Sequence, residues 1–231
     1  MFAVYKRELR AYMSNVYGWL FMAVLLLFEG FMMFLENLVA GSPNIEYALL
    51  MGEYALLLMI PILCMRSMAE DRRNKTDMFY LSLPMRTSAV VLGKYFALLT
   101  VYALPCAVIG LYPLVLGLFG TVNYVGGYSA LLFFFLLGAA LIAVCQFLSS
   151  LTDNLVVAAV LGVLGCLLLL GLSILGDALS WTVLERISPF IHFEETCMYG
   201  LFSVPSLILL LSYPVFFVFL TVQSADRKRW A

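Results

Sequence analysis

Along this chain, apolar runs of span length alternate with short polar breaks, and an amphipathic stretch opens the sequence. About 20 consecutive apolar residues are needed for a helix to cross the hydrocarbon core of a bilayer. Six runs meet that length: residues 16–38, 47–65, 95–119, 128–149, 155–175 and 205–222. They predict six transmembrane helices. At the start, "MFAVYKRELRAYMSN" places Phe2, Tyr5, Leu9 and Tyr12 at helical spacing beside Lys6, Arg7 and Arg10. That pattern predicts a helix over residues 1–15 lying in the plane of the lipid headgroups. Between the last two runs, "GDALSWTVLERISPFIHFEETCMYGLFSVPS" is interrupted by Ser188 and Pro189, yet is too apolar for a free loop. It predicts a short re-entrant helical segment across residues 177–204 that dips into the outer leaflet and returns. The expected fold class is all-α: one transmembrane domain over residues 1–231.

Composition supports the same solvent. The 231 residues are 64% hydrophobic and 12% charged, with mean hydropathy +1.02, whereas soluble domains run near half apolar and a quarter charged. A water-soluble fold could not hide so much apolar surface. Orientation follows from the basic residues. With six spans and the N-terminus inside, cytoplasmic segments hold Lys6, Arg7, Arg10, Arg66, Arg72, Arg73, Lys75, Arg86, Lys94, Arg227, Lys228 and Arg229, and external ones only Arg186. This bias predicts both termini in the cytoplasm of a multi-pass cell-membrane protein. The first apolar run is too long for a signal-peptide core and acts as a signal anchor.

Charge is also concentrated. Residues 66–84, "RSMAEDRRNKTDMFYLSLP", hold seven of the 27 Lys, Arg, Asp and Glu residues. A helix from about Arg66 would stop at Pro84, where the missing N–H and the ring clash end it. It either projects beyond the headgroups or extends a membrane helix and folds back. Its charged part, followed by the apolar "MFYLSL", suits docking into a groove on another protein. Four acids lie in or beside the first two spans: Glu29 and Glu36 on the first, Glu46 and Glu53 on the second, each pair seven residues apart and so on one face. Glu29 and Glu53 fall at similar depth without a Lys or Arg beside them in sequence. A charge at a helix centre costs about 3 kcal/mol on insertion scales, so both should face protein or a watery cavity, or stay protonated. They suit a translocation path, or hydrogen bonding that fixes helix packing.

Several chemistries are missing from the sequence. There is no GxxxxGK[ST] phosphate loop; "LGKYF" lacks the first Gly and the Ser/Thr. One histidine, His192, excludes an HExxH zinc site, and the five cysteines have no CxxC spacing. We therefore expect no metal, no cofactor on this chain, no nucleic-acid partner and no enzymatic activity of its own.

The order of these features resembles the permease subunits of ABC transporters of the ABC-2 type, in the branch of gliding-motility and nitrous-oxide-reductase-maturation permeases. The stretches that carry the likeness are "YKRELRAYMSNVYGWLF", "MAEDRRNKTDMFYLSLPMRTSAVVLGKYFA" and "ISPFIHFEE". The chain departs from the pattern at Lys75, where members often carry Gly, and at Met78, where they carry an acid. The resemblance implies an exporter half that pairs with a second permease subunit, as a homodimer or heterodimer, and with two ATPase subunits that bind ATP and Mg. It implies that residues 66–84 form a coupling helix, with Glu70, Asp71, Arg72, Arg73, Thr76, Asp77 and Phe79 as the transmission surface. It also implies that the first and fifth spans contribute to the subunit interface, where Ala158 and Gly162 form a small-xxx-small pair. A polytopic scaffold or assembly protein working without an ATPase is the alternative.

Overall fold

The computed structural model describes residues 1–73, 87–118, 122–178, 181, 186–200 and 202–229. Among the described residues the chain is helical throughout, without strands. The helices are α1 (Phe2–Ser14), α2 (Val16–Met33), α3 (Glu46–Arg73), α4 (Thr87–Ile109), α5 (Tyr112–Leu116), α6 (Tyr124–Ser149), α7 (Leu155–Ala178), α8 (Pro189–Tyr199) and α9 (Val204–Arg229). A π-helical turn, Phe34–Val39, prolongs α2. Six stretches are long and apolar enough to cross a membrane: Val16–Val39, Glu46–Arg73, Thr87–Leu116, Tyr124–Ser149, Leu155–Gly176 and Val204–Arg227. All six expected spans are present.

Their ends differ in instructive ways. The second span does not stop near Met65 but runs on to Arg73 as one helix. Arg66 makes this extension self-supporting, donating to both carboxylate oxygens of Glu70 at 2.7 and 2.6 Å, one turn on. Its guanidinium also lies 4.3 Å from the ring centroid of Tyr17 on α2. Residues 66–73 of the expected coupling segment are thus a continuation of α3, and the rest of it, 74–86, lies outside the described residues. The third span breaks between Ile109 and Tyr112, and Pro113 sits in the first turn of α5. A proline there costs no hydrogen bond, so Pro113 starts a helix rather than bending one.

α3 and α6 form the centre of the bundle. In their most apolar windows 67% is buried, against 28%, 22% and 22% for the first, fifth and last spans. α6 can be central because "GAALIAVC" (residues 138–145) is made largely of small residues that let neighbours approach closely. The Tyr102 ring of α4 lies on the Cα of Gly138, and its hydroxyl donates to the Phe134 carbonyl at 2.8 Å. At the corner between α1 and α2, Gly18 lies so close to the Tyr12 carbonyl that a Cβ would fall 2.4 Å from the oxygen. The Trp19 indole N–H donates to the Met13 carbonyl at 2.7 Å, fixing the same corner.

Candidate coupling site and intramembrane carboxylates

Six spans leave both termini at one end of the bundle, and that end is where the charges are paired. Lys94 on α4 is only 3% exposed. A buried ammonium must be surrounded by acceptors, and three elements supply them. Nζ lies 2.5 Å from Asp71 Oδ2 near the end of α3 and 3.6 Å from Glu8 Oε1 on α1. It also donates to the Ser67 carbonyl. Glu8 is in turn paired with Arg7. One lysine therefore ties the N-terminal helix, the root of the 66–84 segment and the third span together. Beside it lies a cavity of about 250 Å³, lined by Arg7, Glu8, Tyr12, Asn15, Arg66, Glu70, Asp71 and Lys94, among others. Burial holds the Tyr12 phenol well above its ordinary pKa, so it lines the cavity as a neutral group.

Further bonds fasten the same helix end to α6. Ser149 Oγ accepts the Ala69 N–H at 3.2 Å and donates to the Met65 carbonyl at 3.3 Å. Gln146 Nε2 donates to the Val91 carbonyl of α4 at 3.2 Å. Arg72 lies 3.7 Å from Asp153 in the turn between α6 and α7. Of the residues expected at the transmission surface, Glu70, Asp71, Arg72 and Arg73 lie on this last stretch of α3. Thr76, Asp77 and Phe79 lie outside the described residues.

Three of the four acids of the first two spans are buried within the chain, and Glu36 is half-buried. Glu29 and Glu53 are each 1% exposed and Glu46 is 5% exposed. Glu29 sits in a niche made by Gly52, where a Cβ would fall 1.7 Å from Oε1. This contact puts Glu29 beside the residue that precedes Glu53, as their similar depth predicts. Glu29 Oε1, Glu46 Oε2 and Glu53 Oε2 have no hydrogen-bond partner among the described residues. α8 packs against α3, the helix that carries Glu53. Ala158 and Gly162 on α7 are buried inside the chain; a Cβ on Gly162 would meet Pro61 of α3 at 2.9 Å. Their small-residue face already has an intramolecular partner.

His192 is buried and bonded on both sides. Nδ1 is 2.9 Å from Ser206 Oγ, and Nε2 is 3.0 Å from the Arg186 carbonyl. A carbonyl only accepts, so Nε2 carries an N–H, and the ring fixes the start of α9 to the segment before α8. The sequence reading missed Lys94 and Glu8 as site residues. A signal existed for Lys94: a solitary charge inside "VVLGKYFALL" must either lie near the interface or be paired.

A six-span helical bundle with charges confined to its ends and acids buried inside defines a multi-pass membrane protein. Residues 40–222 match the family described as ABC-2 family transporter protein, and the chain belongs to that family. Membership makes it a membrane permease component of an ABC transporter, a class without its own ATPase site and partnered by ABC ATPase subunits. No curated protein matches the chain significantly.

Proposed function

We propose that this chain is the permease subunit of an ATP-driven exporter, moved through residues 66–84 by a separate ATPase on the cytoplasmic side. The observation that carries the reading is the Lys94 cluster. Any displacement of the 66–84 segment pulls on Asp71, and Asp71 is joined through Lys94 to α4 and through Glu8 to α1. The ATPase can shift the inward–outward balance only as far as it binds one state better than the other, and this linkage passes that preference to three helices at once. Both termini lie in the cytoplasm on this reading, and a second permease subunit completes the pathway. The gliding-motility and nitrous-oxide-reductase-maturation permeases are the branch whose pattern the chain resembles. Co-expression with an ABC ATPase followed by affinity capture should retain the ATPase with the native chain and lose it when residues 66–84 are scrambled. Retention by the scrambled chain would remove the coupling role; capture with neither would favour a scaffold that works without an ATPase.

Glu29 and Glu53 belong to the same reading as polar lining of the path when the bundle opens, supported by their buried, partnerless oxygens. Glu29→Gln should reduce transport-coupled ATP hydrolysis in the reconstituted complex while leaving membrane insertion intact. Gly52→Ala should reproduce the defect, because its methyl group claims the space of the Glu29 carboxylate. Normal coupled hydrolysis in both variants would exclude Glu29 from the path.

A further inference from the structure

The cavity beside Lys94 opens among α1, α3 and α4, with Asn15 contributed by the corner between α1 and α2. Its charged lining is balanced, with Arg7, Arg66 and Lys94 set against Glu8, Glu70 and Asp71. Lys94 and Glu8 are buried, whereas Arg7 is exposed and Arg66, Glu70 and Asp71 are half-buried, so the cavity has a closed side and an open one. Arg66 gives Nε and Nη2 to Glu70. Its Nη1 takes no part in that pair, and a guanidinium fork of this kind suits phosphate oxygens. Among the described residues, Tyr12 is the one aromatic side chain on the cavity wall.

An apolar groove continues from this cavity. The Arg66 guanidinium lies 4.3 Å from the ring centroid of Tyr17, and Tyr17 heads a groove of about 130 Å³ between α2 and α3. Phe21 of α2 and Leu63 of α3 are buried and form its floor, while Tyr17, Leu20 and Ile62 are exposed and form its rim. From Tyr17 to Val24 the groove follows α2 for about 10 Å, away from the charged end and into the apolar part of the spans. A charged cavity at the bundle end that leads onto a groove along the helix axis has the layout of a phospholipid, with a head at the interface and a chain beside the span.

We propose that the cavity and the groove form a binding site for one aminophospholipid, with its phosphate at Arg7 and Arg66, its ammonium at Glu70 and Asp71, and an acyl chain between α2 and α3. The headgroup follows from charge. An anionic head would bring a charge that the balanced wall leaves uncompensated, whereas a zwitterion brings one group of each sign. A primary ammonium donates three hydrogen bonds, which carboxylates accept. A quaternary ammonium has no N–H to give and is recognised by cages of aromatic faces, and Tyr12 alone is no cage. Bound in this way, the lipid fastens the end of α3 to α1 and α2 from the membrane side. The site needs no ATPase, so its failure would leave the permease reading untouched.

The test uses the full chain, purified in detergent and depleted of lipid. It is mixed with equal amounts of phosphatidylethanolamine, phosphatidylglycerol and phosphatidylcholine of matched chains, and the lipid that stays bound is identified by native mass spectrometry. One phosphatidylethanolamine should be retained, several-fold in preference to the other two. Equal retention of the three, or preference for either competitor, would overturn the headgroup assignment. E70Q and D71N should each weaken the preference, and an unchanged preference in both would overturn the place given to the ammonium. L20W, at the exposed rim, and V24W should fill the groove and reduce retention several-fold. I208W, on an exposed face of α9, should leave it unchanged. Equal retention in all three tryptophan variants would overturn the groove. Glycerophosphoethanolamine, the same head without chains, should not displace the lipid at equal concentration; displacement would overturn the lipid in favour of a soluble zwitterion.

Discussion

Replacing Lys94 by methionine is expected to uncouple this protein and to lower its melting temperature. Methionine keeps the length of the side chain and removes its charge. Asp71 and Glu8, whose side chains are 21% and 12% exposed, would then lose the ammonium they share, and the Ser67 carbonyl would lose its donor. Removing one partner of a buried ion pair costs about 3–5 kcal/mol; the partial exposure of the acids and the Arg7 neighbour of Glu8 place this case at the lower end. The damage is spread over three elements, because α1 and the end of α3 are both tethered through this one ammonium. In the reconstituted complex with its ATPase, Lys94→Met should abolish transport-coupled ATP hydrolysis. Adding Asp71→Asn should recover part of the lost thermal stability, since only one of the two acids around the former ammonium then keeps its charge, and none of the coupling, since the tether is still absent. A Lys94→Met protein with native melting and native coupled hydrolysis would disprove the role given to the cluster.

That cluster shows where sequence reading succeeds and where it stops. The six spans were legible because crossing a bilayer imposes a length and a composition, and both can be read from consecutive residues. Rotation of each helix about its axis was not. In lipid a helix is apolar on its outer face as well as its inner one, so the pattern that orients a helix in a soluble protein is nearly absent. Only polar residues within the spans report the inward face, and Glu29 and Glu53 were found for that reason. Lys94 carried the same signal, but its partners are far away in sequence, at positions 8 and 71. The packing of α8 on α3 depends on how the chain returns after the fifth span, which no local spacing encodes. Hydropathy left open whether the helix continues past Met65, because an ion pair prolongs it there, as Arg66 and Glu70 do for α3. The intramolecular partner of Gly162 shows the complementary ambiguity: a small-residue stripe invites close packing but does not say whether the neighbour belongs to the same chain.

The largest effect on folding is expected at Gly138. A Cβ there would fall 2.3 Å from two atoms of the Tyr102 ring. Tyr102 has nowhere to retreat. It is 0% exposed, its hydroxyl donates to the Phe134 carbonyl at 2.8 Å, and its ring stacks on Phe135 at 5.7 Å between centroids, with Phe21 at 6.5 Å. Overpacking a dense core costs about 1–3 kcal/mol, and more where the obstructing group is rigid. Gly138→Ala should therefore lower the melting temperature of the purified protein, and Gly138→Val should leave little folded protein to purify. Gly52 offers the contrast, since the atoms its methyl would strike are the end of the flexible Glu29 side chain, which can swing aside. Its effect should fall on function more than on melting. Combining Gly138→Ala with Tyr102→Ala should cost less than the sum of the two, because each relieves the space the other disturbs. Additive losses would mean that the ring is not what Gly138 makes room for, and that the close approach of α4 to α6 has another cause.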